Sequence, residues 1–390
     1  MSAPRKVCVV TGSRADYGLL ISVMRAIAAE PALELQVVAT GMHLSPEFGL
    51  TYRQVESDGF TISAKVETLL SGDTPSAIAK SLGLGVIGFG DAFATLKPDI
   101  VVAIGDRFEI FAAAAAAMLA RIPIAHIHGG ETSEDSFDEA MRHAMTKMAQ
   151  WHFVAAEPYR KRVIQMGEAP ERVFNVGAPG LDHLASMAWL SRAELEHELG
   201  MRFGEKLFLV TYHPATLAPA GAAERAMAAL LAALERFPQA SVAFTYPNAD
   251  TGGRALISAI DAFVRKHPDR ARAFVSLGQQ RYLSLMREAD VVVGNSSSGL
   301  IEAPALKKAV VNVGDRQRGR LKAASVIDTA EDADAIAAAV TRALSPPFRE
   351  RLRGVQSLYG AGDAGGAIAA QLKRPLPAVQ KPFFDIAHGH

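Results

Sequence analysis

The amino-acid sequence predicts an α/β protein of two doubly wound domains, and three observations predict it. Short β-branched runs alternate with longer helical stretches, the rhythm of βαβ units around a parallel sheet. The series occurs twice, broken by the Gly- and Pro-bearing segment Asn175-Val-Gly-Ala-Pro-Gly-Leu-Asp182. A chain of 390 residues is also well beyond the size of one packed core.

In the first half the strand runs are Val7–Val10, Leu35–Val38, Ile100–Ile104, Ile122–Ile127 and Phe153–Ala155, with helical segments such as Tyr17–Ala29 and Phe108–Leu119 between them. Their continuous apolar character fits strands covered on both faces. The second series is Leu207–Thr211, Val242–Thr245, Ala273–Ser276, Val291–Val293 and Val310–Val313, interleaved with Ala-rich stretches such as Ala222–Leu234. From Glu331 onward no strand run is visible; Ala333–Leu344, Phe348–Gly354 and Gly365–Leu372 read as helices packing across the domains. The expected boundaries are residues 1–180 for an N-terminal Rossmann-like domain, 181–372 for a C-terminal one, and 373–390 for a tail, with the hinge near 177–185. Ligands bind outside the carboxyl ends of parallel strands, so the two domains are expected to face each other across a cleft there.

Composition narrows the function. Lys plus Arg and Asp plus Glu both number 41, so no net charge draws the chain to nucleic acid or an anionic membrane. With 49% hydrophobic and 21% charged residues, large cores can be buried. The single cysteine, Cys8, and the lack of zinc spacing point to a reducing, cytoplasmic compartment and to no structural metal. The first residues turn polar too quickly for a secretory signal. The apolar run Ile110 to Ala120 is short of a membrane span, so no membrane segment is expected.

The residues after the strands carry the chemistry. Thr11-Gly-Ser-Arg-Ala-Asp-Tyr-Gly18 is a turn into a helix whose N–H groups, with Arg14, suit a phosphate, or else a capped helix with a surface arginine. It lacks the dinucleotide fingerprint. Gly41-Met-His43 puts a histidine at the end of the second strand, where a lone histidine is more often structural. In Ile104-Gly-Asp-Arg-Phe-Glu109, Asp106 can accept a proton and Arg107 can hold an anion. His126-Ile-His128-Gly-Gly-Glu131 places two histidines on one strand face, a geometry that also fits a metal pair, although no further ligand set accompanies it. Asp138 opens a helix with an apolar stripe at Met141, Ala144, Met145 and Met148, and serves there in acid–base work or by stabilising the helix dipole. Glu139, His143 and Lys147 fall on another, solvated or interdomain face.

In the second half, His213 ends one strand and Asn248 follows the next. Gly294-Asn-Ser-Ser-Ser-Gly-Leu-Ile-Glu302 reads as a strand, a hydroxyl-rich turn and a helix start. Ser296, Ser297 and backbone N–H groups can surround a diphosphate there, while Glu302 can accept both hydroxyls of a ribose. Arg316, Arg318 and Arg320 follow the next strand. The ligand so described is a nucleoside diphosphate.

Through Gly12 to Gly18, Thr40 to His43, Gly105 to Phe108, His128 to Glu131, Asp138 to Lys147, His213-Pro214, Gly294 to Gly299 and Arg316 to Arg320, the sequence resembles the UDP-N-acetylglucosamine 2-epimerase family. Within it the likeness is to the UDP-hydrolysing members that make N-acetylmannosamine or its relatives for sialic and legionaminic acids. The resemblance implies the two-domain architecture of GT-B glycosyltransferases, with no metal or other cofactor. It implies that Arg14, His213, Ser296, Ser297, Glu302 and Arg316 hold the nucleotide, while Asp106, Arg107 and Asp138 line the sugar and carry acid–base work. His43, Arg142 and Asn248 are further substrate-binding candidates. Several relatives have a glutamate where this chain has His128; Glu131 is the nearest carboxylate, expected to transfer the proton while His128 shapes the cleft, with His128 itself as the proton donor the alternative. The implied reaction is elimination of UDP followed by addition of water, on UDP-N-acetylglucosamine or a 2,4-diacetamido analogue. A non-hydrolysing epimerase and a GT-B glycosyltransferase are the alternatives. The expected partners are the nucleotide sugar and further copies of the chain, as a dimer or tetramer, but neither nucleic acid nor membrane.

Overall fold

The computed structural model describes residues 3–70, 72, 74–133, 138–184, 187–214, 219, 221–247 and 253–386. Among them the chain forms two all-parallel sheets. The first contains β1 (Arg5–Thr11), β2 (Leu33–Thr40), β3 (Ile62–Val66), β4 (Ile100–Ile104), β5 (Ile124–Ile127), β6 (Trp151–Val154) and β7 (Val173–Asn175), in the order β3-β2-β1-β4-β5-β6-β7. The second contains β8 (Lys206–Thr211), β9 (Ala240–Thr245), β10 (Ala271–Phe274), β11 (Val291–Gly294), β12 (Ala309–Val313) and β13 (Val326–Thr329), in the order β10-β9-β8-β11-β12-β13. Strand order reverses direction between β1 and β4, and again between β8 and β11. Such switch points leave a crevice at the strand ends.

Central strands are sealed by helices on both faces. In the first unit Val7 and Val9 of β1 pack with Leu20, Met24 and Ile27, whereas Cys8 and Val10 pack with Phe89, Ile110 and Ala113 on the other side. In the second, Phe208, Val210, Val291 and Val293 share a core with Met227, Leu230 and Ile336. Three strands escape the sequence reading, β3, β7 and β13, and all three are sheet edges. An edge strand has one neighbour and less cover, so it needs no continuous apolar run; the alternating burial of Ile62–Val66 shows this.

The chain divides into one unit of residues 1–131, 138–185 and 359–390 and another of 132–137 and 186–358. The switch at 185 falls at the expected hinge, but assigning everything through 372 to the second domain is corrected. The helices Ala333–Leu344 and Pro346–Leu352 belong to the second core, whereas Ala364–Leu372 buries Ile368, Ala369 and Leu372 in the first. Gly365 permits that docking, since a Cβ there would lie 2.8 Å from the Ser22 backbone.

The membrane expectation also changes. The helix Pro75–Leu96 has 22 residues and a mean hydropathy of 1.3 over its most apolar window, long and apolar enough by length and composition to cross a membrane. In this fold it is the crossover from β3 to β4, with Gly85 against Ala112 and Gly88 against Val66.

One glycine fixes the second switch point. Gly294 ends β11 at φ +133°, and a Cβ there would stand 1.9 Å from the Thr211 carbonyl oxygen of β8. Gly294→Ala should therefore part the two central strands and lower stability by roughly 3 kcal/mol or more, combining backbone strain and overpacking. Chemical denaturation of both proteins measures the difference.

Candidate active site

In the first unit the side chains after β4 and β5 meet a helix. β4 passes through Gly105, whose φ of +75° turns the chain so that Asp106 and Arg107 follow at the sheet's end. The helix Asp138–Met148 brings Arg142, which is 1% exposed. Its guanidinium donates to the Asp106 carboxylate, to Glu139 Oε2 at 2.7 Å, and to the Glu131 carbonyl oxygen at 3.1 Å. Arg142 is thus no free anion receptor; it spends its donors on organising carboxylates. Asp138, half-buried at the first position of the helix, lies one turn before it on the same face.

This alters the expected helix face. The buried stripe is Arg142, Met145 and Thr146, so Met141 and Ala144 lie at its edge. Glu139 does not stand on a solvated side, since it takes both Arg142 and His143 Nε2, the latter at 2.9 Å. Sequence reasoning misses it because a helical carboxylate three residues before an arginine looks like an ordinary surface pair.

β5 ends at Ile127, and His128 adopts φ +67°, which breaks the strand's alternation. The two histidines therefore do not act as a pair. His126 is fully buried, with Nε2 2.8 Å from the Gly105 carbonyl and Nδ1 3.3 Å from Thr146 Oγ1; burial pushes its pKa down to about 3, so it stays neutral. His128 instead directs Nδ1 to Glu131 Oε1 at 2.5 Å, while its Nε2 has no hydrogen-bond partner among the described residues. Glu131 is itself 2% exposed. An imidazole pinned through Nδ1 to a carboxylate presents Nε2 as the atom that can take or give a proton.

Arg107 is held by Nε to Glu109 Oε1 at 2.7 Å, and its Nη2 approaches Met42 Sδ at 3.7 Å. Glu109, absent from the expected site, is almost wholly buried between the ends of β1 and β2; a Cβ on Gly12 would lie 2.5 Å from its Cγ. Two expectations at these strand ends are corrected. The N–H groups of Gly12 and Ser13 do not await a phosphate, because Asp16 accepts both at 2.7 Å, and Arg14 lies exposed beside them. His43 is fully buried with Nε2 3.0 Å from Thr11 Oγ1 and Nδ1 2.8 Å from Thr51 Oγ1, and burial lowers its pKa. Both its nitrogens are engaged, which makes it part of the packing beneath the site rather than a substrate contact.

The second unit gathers its residues around Asn295, which is 1% exposed. The Asn295 side chain grips the His213 backbone from both sides, accepting its N–H at 2.7 Å and donating to its carbonyl at 2.8 Å. The Asn295 carbonyl accepts Arg316 Nη1 at 3.0 Å and Gln317 Nε2 at 2.8 Å. One asparagine, through its side-chain amide and its backbone carbonyl, therefore joins the ends of β8, β11 and β12. His213 is buried beside Arg316; burial first, and then the arginine's charge, bring its pKa down to about 3. Tyr282 Oη, Ser298 Oγ and Ser296 Oγ form a chain of hydroxyls at 2.6 and 3.0 Å. The N–H groups of Ser296 and Ser297 donate to no protein acceptor among the described residues.

The helix start expected after this loop is a single 3₁₀ turn, Ser297–Gly299, followed by the four-residue helix Glu302–Ala305. So short a helix has little macrodipole, and anion binding there rests on loop amides, hydroxyls and Arg316. Beside Arg316 a cavity of about 860 Å³ is lined by Tyr212, Gly314, Arg318, Lys322 and Glu331. Asn248 lies outside the described residues.

A sequence profile described as UDP-N-acetylglucosamine 2-epimerase matches residues 25–373. This chain belongs to the UDP-N-acetylglucosamine 2-epimerase family. Among its family relatives is the GDP/UDP-N,N'-diacetylbacillosamine 2-epimerase (hydrolyzing) of Campylobacter jejuni, 41% identical over 83% of this chain and 84% of that protein. The UDP-N,N'-diacetylbacillosamine 2-epimerase (hydrolyzing) of Legionella pneumophila is 37% identical over 88% and 90%. Among solved structures, the S. aureus MnaA–UDP co-structure superposes with a TM-score of 0.80 at 16% identity, covering 95% of this chain and 96% of that one; it shares the epimerase fold.

The arginine network makes a stability claim of its own. Arg142→Met should cost roughly 3–5 kcal/mol, because it leaves half-buried carboxylates facing each other without their cation. Adding Asp106→Asn should recover part of the loss, and denaturation of the single and double variants measures the coupling.

Proposed function

We propose that this protein is a hydrolysing nucleotide-sugar 2-epimerase that converts UDP-N,N'-diacetylbacillosamine, or UDP-N-acetylglucosamine in its place, and water to UDP and the free 2-epimeric sugar. The observation that carries the reading is the identity of 37–41%, over most of both chains, to two hydrolysing enzymes named for the 2,4-diacetamido substrate. The acid–base groups lie in the first unit and the diphosphate-binding groups in the second. The cytoplasmic supply of a sialic- or legionaminic-type precursor fits that product.

The chemistry divides among named residues. A base takes the C2 proton as the C1–O bond breaks, and the electron pair left at C2 forms the double bond of a 2-acetamidoglucal. UDP departs with its negative charge spread over the diphosphate. Water then adds its oxygen to C1 and a proton returns to C2 on the opposite face. The C2 hydrogen is weakly acidic, so stabilisation of the leaving diphosphate by Arg316 and the 296–297 amides shares the work. Glu302 suits the ribose hydroxyls, and Arg107 the sugar's oxygens.

His128 is the better candidate for one proton transfer, with Glu131 orienting it, which reverses the roles expected from sequence. The support is geometric: Glu131 is buried and bonded to Nδ1 at 2.5 Å, while Nε2 is the atom left to act. Asp106, set by Arg142, and Asp138 are the carboxylates for the opposite face.

Turnover in deuterium oxide should place deuterium at C2 of the released sugar and release free UDP; an unlabelled sugar, or an epimerised sugar still bearing UDP, counts against the mechanism. Nuclear magnetic resonance of the product reads both. His128→Asn should lower kcat by about two to four orders of magnitude, the range of a lost general acid or base, and Glu131→Gln by less. Side-by-side steady-state kinetics on the two folded variants gives the ranking.

A further inference from the structure

The helix Asp138–Met148 is held by ionic groups at its far end as well, and those groups take no part in the chemistry above. Glu168, 1% exposed, accepts Lys147 Nζ on Oε1 at 2.5 Å; on Oε2 it accepts His152 Nε2 at 3.0 Å and Lys381 Nζ at 2.5 Å. Lys381 comes from the segment that follows the last helix. Its ammonium also donates to the Ala149 carbonyl at 2.5 Å and reaches the Thr146 carbonyl at 3.4 Å. These carbonyls close the last turn, where a helix has no acceptors' partners of its own. An ammonium has three N–H donors, and here it meets three oxygens.

The segment around Lys381 is fastened residue by residue. Gln150 Nε2 donates to the Val379 carbonyl at 3.1 Å, and the Phe384 N–H donates to the Gly167 carbonyl at 2.9 Å. The Phe383 ring sits so close to Gly167 that a Cβ there would lie 2.3 Å from it, and Lys147 Nζ stands 4.8 Å from the ring centroid. Terminal segments stay ordered only when tied down, and ordering one costs conformational entropy. Here the ties converge on one helix terminus.

We propose that residues 375–386 form a clasp on the acid–base helix, with Lys381 as a positioning residue that fixes its last turn and thereby the placement of Arg142 and Asp138 upstream. The proposal rests on the reading of that helix given under the proposed function. It explains why a lysine is buried at a helix end far from it in sequence, and why the neighbouring carboxylate is shared among three cationic or imidazole donors.

The test compares full-length wild type, K381M and K381R by amide hydrogen exchange over residues 143–150, UDP affinity by calorimetry, and steady-state hydrolysis of UDP-N,N'-diacetylbacillosamine. K381M keeps the apolar stem and removes the donors. In K381M the Ala149 and Gln150 amides should exchange about tenfold faster and kcat should fall about tenfold, with UDP affinity within about twofold of wild type. K381R should recover most of the exchange protection. Unchanged exchange in K381M overturns the clasp whatever the activity, and faster exchange with unchanged kcat overturns the positioning role. If wild type hydrolyses no nucleotide sugar, the proposed function fails and the exchange comparison alone decides the clasp.

Discussion

The first unit depends on one buried cation. A guanidinium almost without solvent is tolerated only if its donors are matched, and Arg142 matches them with the Asp106 and Glu139 carboxylates and the Glu131 carbonyl. Three chain segments that are distant in sequence are thereby brought to one point: the end of β4, the turn after β5, and the acid–base helix. The carboxylates cannot relax toward solvent without abandoning a buried charge. What a flexible surface would leave mobile is set before substrate arrives, and this is the condition under which acid–base groups act with little reorganisation.

The second unit solves a different electrostatic problem with different groups. A site for a diphosphate is weakened by every carboxylate beside it, and its hub is a neutral amide. Asn295 joins β8, β11 and β12 through four hydrogen bonds without adding charge, and Arg316 lies against its carbonyl beside the loop. The serine hydroxyls and amides complete a surface of donors.

What was legible from sequence follows burial. Central strands show themselves, because a strand covered on two faces must be apolar throughout, as in Ile100–Ile104 and Val291–Val293. The edge strands β3, β7 and β13 do not, since one neighbour and partial cover place few demands on composition. Residues at strand ends are legible as polar interruptions, which is how Asp106, His128 and His213 stand out, whereas Asn295 passes as one more polar residue of its turn. Their partners are less so. Glu109 and Glu139 look like ordinary helical carboxylates until the fold buries them, and His43 looks like a site residue until Thr11 and Thr51 close over both its nitrogens. Sequence indicates where polarity leaves the core. Which polar group faces inward is decided by tertiary packing.

The turn after β5 shows how the fold carries the cost of such a decision. His128 is held at φ +67°, a region that costs a residue with a Cβ on the order of 1–2 kcal/mol. The two residues after it are crowded: a Cβ on Gly129 would lie a tight 3.1 Å from His126 Nδ1 and Thr146 Oγ1, and one on Gly130, itself at φ +78°, would clash at 2.6 Å with the Tyr159 carbonyl oxygen. The diglycine lets the chain turn tightly enough for Glu131 to come back onto the ring three residues earlier. His128 Nδ1 then gains a hydrogen bond to a buried carboxylate, a contact worth more than the backbone strain when one partner is charged. A glutamate in place of His128 would meet Glu131 as a second carboxylate, so the imidazole and the Glu131 that holds it form a single unit, built by the same two glycines.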